Sequence, residues 1–115
     1  MEKIALFAFN GDPMCFIHVL LNALDFSEKD FEIKVVIEGS ATKLVAELAR
    51  DDHPLHNLYE QVKEKVLLMG VCKACAQKKG ALKAAEDQGL RLLEDMSGHP
   101  GMANFTEQGY KIITF

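Results

Sequence analysis

Residues 70–80 read Gly70-Val71-Cys72-Lys73-Ala74-Cys75-Ala76-Gln77-Lys78-Lys79-Gly80. They place a Cys-x-x-Cys pair where an apolar strand is expected to end and a short basic helix to begin. Backbone N–H groups and the dipole at a helix start favour negative charge, so Cys72 is expected to have a lowered pKa and to be the nucleophile. The pair fits a redox couple, a sulfur carrier or half of a metal site, or else two small residues buried on a helix face.

Outward from this segment, short apolar strands alternate with helical stretches along the whole chain. This alternation predicts an α/β fold with a mostly parallel sheet. Strands are expected at residues 3–9, 31–38, 66–71, 90–93 and 110–115. Helices are expected at residues 13–26, 41–50, 56–65 and 72–88, the last interrupted at Gly80, with one more ending at Gly109. Five strands with helical crossovers predict a three-layer α/β/α sandwich, with 2-1-3-4-5 as the expected strand order.

Length and composition narrow the class of protein. The 115 residues predict a single domain spanning 1–115. Thirteen basic against seventeen acidic residues argue against a nucleic-acid surface. Neither a signal peptide nor a membrane span is expected. Three cysteines are an odd number, which favours reduced thiols in a cytoplasmic protein over a disulfide scaffold.

Candidate binding residues follow the predicted strands, because ligands of open parallel sheets bind beyond the carboxyl ends of the strands. Cys15 is expected to face the Cys72 loop if the first and third strands are neighbours. Simpler roles are open: Asp12 as a helix cap, Cys15 as an inert buried thiol, and Glu38, Lys73 and His99 as solvated or loop side chains. The candidates beside the cysteine pair are Asn10, Gly11, Asp12, Cys15, Glu38, Gly39, Ser40, Lys73, Ser97, Gly98 and His99.

The chain resembles the DsrE/DsrF-like family of small sulfur-relay and sulfur-metabolism proteins. Four segments carry the resemblance: Asn10-Gly11-Asp12-Pro13, Ile37-Glu38-Gly39-Ser40-Ala41, Gly70-Val71-Cys72-Lys73-Ala74-Cys75, and Gly109-Tyr110-Lys111-Ile112-Ile113-Thr114-Phe115. The resemblance implies a five-stranded parallel sheet, assembly into oligomers, and a persulfide on the cysteine in the position of Cys72. The second cysteine, Cys75, departs from the family pattern and suits a resolving thiol.

Two functions from different classes follow. The first is a cytoplasmic sulfur carrier or sulfurtransferase-like protein, in which Cys72 holds a persulfide and Cys75 resolves it. It would need donor and acceptor proteins but no cofactor, and it would form a homo-oligomer. The alternative is a zinc-type metal site or a thiol–disulfide redox module built on Cys72 and Cys75, with Cys15 or His99 as a further metal ligand. A nucleotide pocket is disfavoured, because the phosphate-binding glycine patterns are missing.

Overall fold

The computed structural model describes residues 1–65 and 67–115, and the expected start of the third strand at Val66 lies outside them. The strands are β1 (Lys3–Ala8), β2 (Glu32–Ile37), β3 (Leu68–Cys72), β4 (Leu92–Leu93) and β5 (Tyr110–Thr114). The helices are α1 (Pro13–Glu28), α2 (Leu44–Leu48), α3 (His56–Glu64), α4 (Lys73–Lys78), α5 (Leu82–Asp87) and α6 (Met102–Glu107). A short 3-10 helix, Gly39–Lys43, precedes α2.

The predicted α/β class is confirmed, since all four strand pairs are parallel in one five-stranded sheet. The strand order is β4-β3-β2-β1-β5, which differs from the expected 2-1-3-4-5. β1 and β2 are both apolar runs that suit a central position, so their sequences did not determine which of them pairs with β3. In the structure β2 lies between β1 and β3. The loops after β1 and β3 are therefore separated by a strand.

The two faces of the sheet are covered unequally. One face, with Ile4, Leu6 and Val35, packs in a large cluster that includes residues of α1, α2, α3, α4 and α5. The opposite face packs Phe7 edge-on against Phe105 of α6, with ring centroids 5.3 Å apart. Three successive crossovers to the same side place their helices on one face. The crossover from β4 to β5 runs back across the sheet and brings α6 to the other.

Local signals account for the helix boundaries. Asp12 caps α1 by accepting the Met14 N–H at 2.9 Å, and Pro13 occupies the first helical position. The long predicted helix after the cysteine pair divides at Gly80, whose φ of +68° is in the left-handed region that glycine tolerates.

In the described part of the chain, no helix is long and apolar enough to cross a membrane.

Gly70 allows β3 and β4 to approach closely, just before the cysteine pair. A Cβ at this position would lie 2.5 Å from the Arg91 carbonyl oxygen, which accepts the Val71 N–H at 2.8 Å. We predict that Gly70→Ala lowers the free energy of unfolding by about 1–3 kcal/mol. It should also increase the reactivity of Cys72, because the strand that carries this residue must shift. Denaturant unfolding and thiol labelling measure the two effects.

Gly80→Ala is the control for this substitution. A Cβ at Gly80 meets no atom within 4 Å, so the cost is only the backbone strain of about 1 kcal/mol. Cys72 should stay as protected as in the wild type. Equal Cys72 reactivity in the two variants would contradict the close approach at Gly70.

Candidate functional site

Four chemically reactive side chains meet at the carboxyl edge of the sheet. Glu38 follows β2, Cys72 ends β3, Cys75 lies in α4, and His99 lies in the loop between β4 and α6. One ligand atom from each of these residues lies within 4.8 Å of the other three. The parallel register pairs Ile37 with Val71, so the residues that follow them leave the sheet side by side. We refer to Glu38, Cys72, Cys75 and His99 as the tetrad.

Cys72 is at the centre of the tetrad and is fully buried. Its Sγ lies 3.1 Å from Nδ1 of His99 and accepts the Cys75 N–H at 3.5 Å. The pKa of the Cys72 thiol is raised from 9.0 to about 12, with burial as the main cause. The Cys75 N–H acts to lower this pKa, whereas the side chain of Cys75 and the charge of Glu38 act to raise it.

The expectation of a lowered pKa at Cys72 is therefore corrected. α4 has only six residues, and a helix terminus at the surface typically stabilises a charge by about 0.3–1 kcal/mol. Removing a thiolate from water costs several times more. In this structure burial prevails over the helix start.

His99 reaches both thiols because of a tight turn. The Met96 N–H donates to the His99 carbonyl at 2.7 Å, and the Ala74 N–H donates to the Gly98 carbonyl at 2.9 Å. Gly98 has a φ of +90°, and a Cβ there would lie 3.2 Å from Cβ of Ala74. The turn thus fixes the loop against α4. Nδ1 of His99 lies 3.6 Å from Sγ of Cys75, in addition to its contact with Cys72.

Glu38 adds a buried carboxyl group. The residue is 6% exposed. Burial raises the pKa of Glu38 from 4.5 to about 6, and a hydrogen bond with Cys72 opposes part of that rise. The carboxylate therefore lies in the protein interior beside a thiol, and at neutral pH it is mostly ionised.

A cleft of about 360 Å³ opens onto the tetrad from the α6 side of the sheet. Glu38 and His99 contribute its polar lining. No sequence pattern indicates this cleft, because its apolar wall combines the end of β1 with the loop before α6. Its other lining residues are Phe9, Met96, Pro100, Met102 and Ala103.

The remaining candidates from the first and second loops make a separate network of turn hydrogen bonds. Ser40 Oγ accepts the Gly11 N–H at 3.1 Å and donates to the Phe9 carbonyl at 3.1 Å. The Asp12 N–H donates to Oδ1 of Asn10 at 2.8 Å. Gly39 begins the 3-10 helix with a φ of +55°. These contacts connect the loop after β1 to the loop after β2.

Three more candidates also lie outside the tetrad. Cys15 lines a different cavity, together with Asn10, His18, Asn22 and Phe115. It does not face Cys72 as expected, because β2 separates the two loops. Lys73 pairs with Glu94 at 3.4 Å. Ser97 has a φ of +51° and forms part of the turn that precedes His99.

Thr42 is a further residue of the site that the sequence does not reveal. It is fully buried, and its hydroxyl supports α4. Its Oγ1 donates to the Gly39 carbonyl at 2.8 Å and lies 3.4 Å from the Cys75 carbonyl. No motif marks this threonine, and its role depends on a contact 33 residues away in the chain.

Sequence comparisons match this chain to one family model and to uncharacterised relatives. The model of the DsrE/DsrF-like family matches residues 3–115. An uncharacterised protein of Methanocaldococcus jannaschii is 33% identical over 96 residues, which cover 84% of this chain and 76% of that protein. An uncharacterised protein of Archaeoglobus fulgidus is 44% identical over 41 residues, covering 36% of this chain and 67% of that one.

Structural comparison supports the same fold. A conserved protein of unknown function from Bacteroides thetaiotaomicron superposes with a TM-score of 0.73. The match covers 99% of this chain and 95% of that one, at 16% sequence identity. At this identity the likeness concerns the fold alone.

The burial of Cys72 predicts the order of thiol reactivity in the reduced, metal-free protein. Cys15 and Cys75, which are partly exposed, should react with iodoacetamide at neutral pH before Cys72. Cys72 should be protected both by its burial and by its raised pKa. Peptide mass spectrometry after short labelling times measures the three rates. Labelling of Cys72 first would contradict the assigned environment.

The raised pKa of Glu38 predicts that the wild type and Glu38→Gln differ in stability by an amount that depends on pH. Because its pKa is higher in the folded protein than in the unfolded chain, its protonation stabilises the fold. That contribution is complete below the unfolded value and is lost as the pH rises through about 6. Relative to the wild type, Glu38→Gln should gain about 1–2 kcal/mol of unfolding free energy between about pH 5 and about pH 8.

The measurement is denaturant unfolding of both proteins across this range, with a chelator present. Glu28→Gln is the control, since Glu28 is at the end of α1 and outside the tetrad. A difference that stays constant with pH would contradict the burial of an ionisable Glu38.

Proposed function

The chain belongs to the DsrE/DsrF-like family, and from that premise we propose that it is a sulfur-relay protein that carries sulfane sulfur on Cys72 and Cys75. The family indicates sulfur relay in general. One observation carries the finer proposal: Nδ1 of a single imidazole, that of His99, lies 3.1 Å from one thiol and 3.6 Å from the other. A shared nitrogen can take a proton from either sulfur and return it to the other.

Sulfur enters at Cys75 in this proposal, because that thiol is partly exposed whereas Cys72 is buried. His99 accepts the thiol proton of Cys75. The resulting thiolate attacks the outer sulfur of a donor persulfide. A new sulfur–sulfur bond forms, the donor's own sulfur–sulfur bond breaks, and the leaving donor thiolate takes the proton from His99, which leaves the imidazole neutral for the next step. Cys75 then carries the persulfide.

The sulfur next moves inward to Cys72. The Cys72 thiolate attacks the outer sulfur of the Cys75 persulfide, so that one sulfur–sulfur bond replaces another. Cys75 leaves as a thiolate, and His99 transfers to it the proton that Cys72 has lost. No net oxidation occurs. The buried position of Cys72 protects its persulfide from solvent reductants until an acceptor removes the sulfur by the reverse route.

The same geometry accounts for the role of a resolving thiol. If Cys75 attacks the inner sulfur of a Cys72 persulfide, hydrosulfide leaves and a Cys72–Cys75 disulfide forms. A thiol reductant must then restore the pair. The carrier route and the disulfide route give different masses, so one measurement separates them.

We include self-association in the proposal. Phe9 and Met96 are 37% and 54% exposed, and both line the cleft. A second chain, or a donor or acceptor protein, would cover these apolar side chains and exclude water from the tetrad.

Sulfur loading tests the proposal directly. After incubation with inorganic polysulfide, the wild-type chain should gain the mass of one sulfur atom, and a thiol reductant should remove it. Cys75→Ser should load at least about tenfold more slowly, because the accessible thiol is lost. Cys72→Ser should still load but should lose its sulfur faster to cyanide, since Cys75 is partly exposed. Intact mass spectrometry over time measures each rate.

Cys15→Ser is the matched control and should behave as the wild type, since Cys15 lies outside the tetrad. Loading of Cys75→Ser at the wild-type rate would contradict entry at Cys75. Loss of two hydrogens without added sulfur in the wild type would favour the disulfide route.

A further inference from the structure

We propose that Glu38, Cys72, Cys75 and His99 form a binding site for one zinc ion. The proposal concerns the same four residues as sulfur relay, but zinc binding does not require relay. It follows from the types of ligand, their spacing, the scaffold that holds them and the absence of a cationic partner for Glu38 in the described part of the chain.

The donor atoms suit zinc. Two cysteine sulfurs, one histidine nitrogen and one carboxylate oxygen are all common zinc ligands, and zinc in structural sites takes four of them in a tetrahedron. A soft sulfur pair disfavours magnesium and calcium, which prefer oxygen. The tetrad supplies the complete set from one chain, so a second subunit is not needed to complete the coordination.

The spacing is close to that of a tetrahedral site. With Zn–S near 2.3 Å and Zn–N near 2.0–2.1 Å, a sulfur and a nitrogen bound to one zinc ion lie about 3.5 Å apart. Nδ1 of His99 lies 3.6 Å from Sγ of Cys75 and 3.1 Å from Sγ of Cys72. All four donor atoms lie within 4.8 Å of one another. Small side-chain adjustments bring these distances to those of the zinc complex.

The backbone holds the ligands in place. The hydrogen bond from the Ala74 N–H to the Gly98 carbonyl, at 2.9 Å, joins the loop of His99 to the helix of Cys75. The Glu38 N–H donates to the Ala8 carbonyl at 2.8 Å and fixes the end of β2. The three chain segments that provide ligands are thus fixed by the fold. Such prior order reduces the entropy lost when an ion binds.

The charge balance also favours a cation. Glu38 is a buried carboxyl group, and a buried carboxylate normally has a cationic partner. Within residues 1–65 and 67–115, the ion pairs do not include Glu38. Within 4.8 Å of its carboxylate lie two thiols and the imidazole of His99, which forms no ion pair with it. A divalent ion would offset two of the three negative charges of the carboxylate and both thiolates, with release of the thiol protons on binding.

The cleft gives the ion a path to the site. Glu38 and His99 line the cleft of about 360 Å³ that opens to solvent on the α6 side. Zinc can therefore reach two of its ligands from outside, while the two sulfurs complete the coordination from the interior side.

One consequence rests on the proposed sulfur-relay function. Zinc would hold both thiols as ligands, so neither would be free to attack a donor persulfide. Zinc binding and sulfur loading would then exclude each other, and the concentration of free zinc would regulate the carrier.

The test uses the reduced, full-length chain. Zinc affinity is measured by competition with a chromophoric chelator, and cobalt(II) serves as a spectroscopic probe of tetrahedral thiolate coordination. We expect one zinc per chain, and charge-transfer and ligand-field bands of tetrahedral cobalt bound by two thiolates. A lack of stoichiometric zinc binding, or octahedral cobalt without thiolate bands, would overturn the proposal.

Variants identify the ligands. Loss of an outer-shell partner alone costs about 10–100-fold in affinity, so Glu38→Gln, His99→Gln and Cys75→Ser should each weaken zinc binding at least that much. His18→Gln and Cys15→Ser, both outside the tetrad, should bind as the wild type does. Circular dichroism confirms that each variant is folded. Wild-type zinc affinity in folded Glu38→Gln and His99→Gln would overturn the four-ligand site.

A combined measurement separates this inference from the proposed function. One equivalent of zinc should suppress sulfur loading from polysulfide, and a chelator should restore it. If zinc binds but the metal-free protein never loads sulfur, the sulfur-relay proposal fails and the zinc site stands. If the protein loads sulfur but binds no zinc, the zinc site fails and the sulfur-relay proposal stands. Unchanged loading in the zinc complex would overturn the mutual exclusion.

Discussion

The parallel pairing of β2 with β3 is the constraint on which the site depends. Ile37 lies opposite Val71, so Glu38 and Cys72 leave the sheet together at its carboxyl edge. A change of one residue in this register would turn one of the two side chains to the other face of the sheet. The close approach of β4 to β3 at Gly70 then determines where the loop with His99 begins. Reactive residues from distant parts of the chain meet because three adjacent strands end at one edge.

Burial of the tetrad is costly for the fold. Glu38 and Cys72 are both buried, and burial disfavours the ionised form of each. The charge of Glu38 further raises the pKa of the Cys72 thiol. A core made of apolar side chains would avoid that cost. In this buried environment, ionisation of the Cys72 thiol depends on a neighbouring proton acceptor, a bound sulfur atom or a metal ion. His99 is the group that connects Cys72 to Cys75, and through the cleft to solvent.

The features predictable from the sequence are local ones. Apolar strands alternating with helices predict the parallel sheet, and Gly80 predicts the break between α4 and α5. All four tetrad residues were candidates, yet nothing local indicated that they touch. β1 and β2 are equally apolar, so the strand order, and with it the separation of Cys15 from Cys72, depends on long-range packing. The protonation of Cys72 differs from the expectation because its burial is set by elements distant in the chain.

The central claim is that His99 contacts the same thiols that carry sulfur. The most direct measurement is the nuclear magnetic resonance spectrum of isotopically labelled histidine side chains before and after sulfur loading. The account predicts that the imidazole signals of His99 shift when sulfur is loaded and return when a thiol reductant removes it, while those of His18 and His53 stay unchanged. Sulfur loading that leaves the His99 signals unchanged would contradict the account.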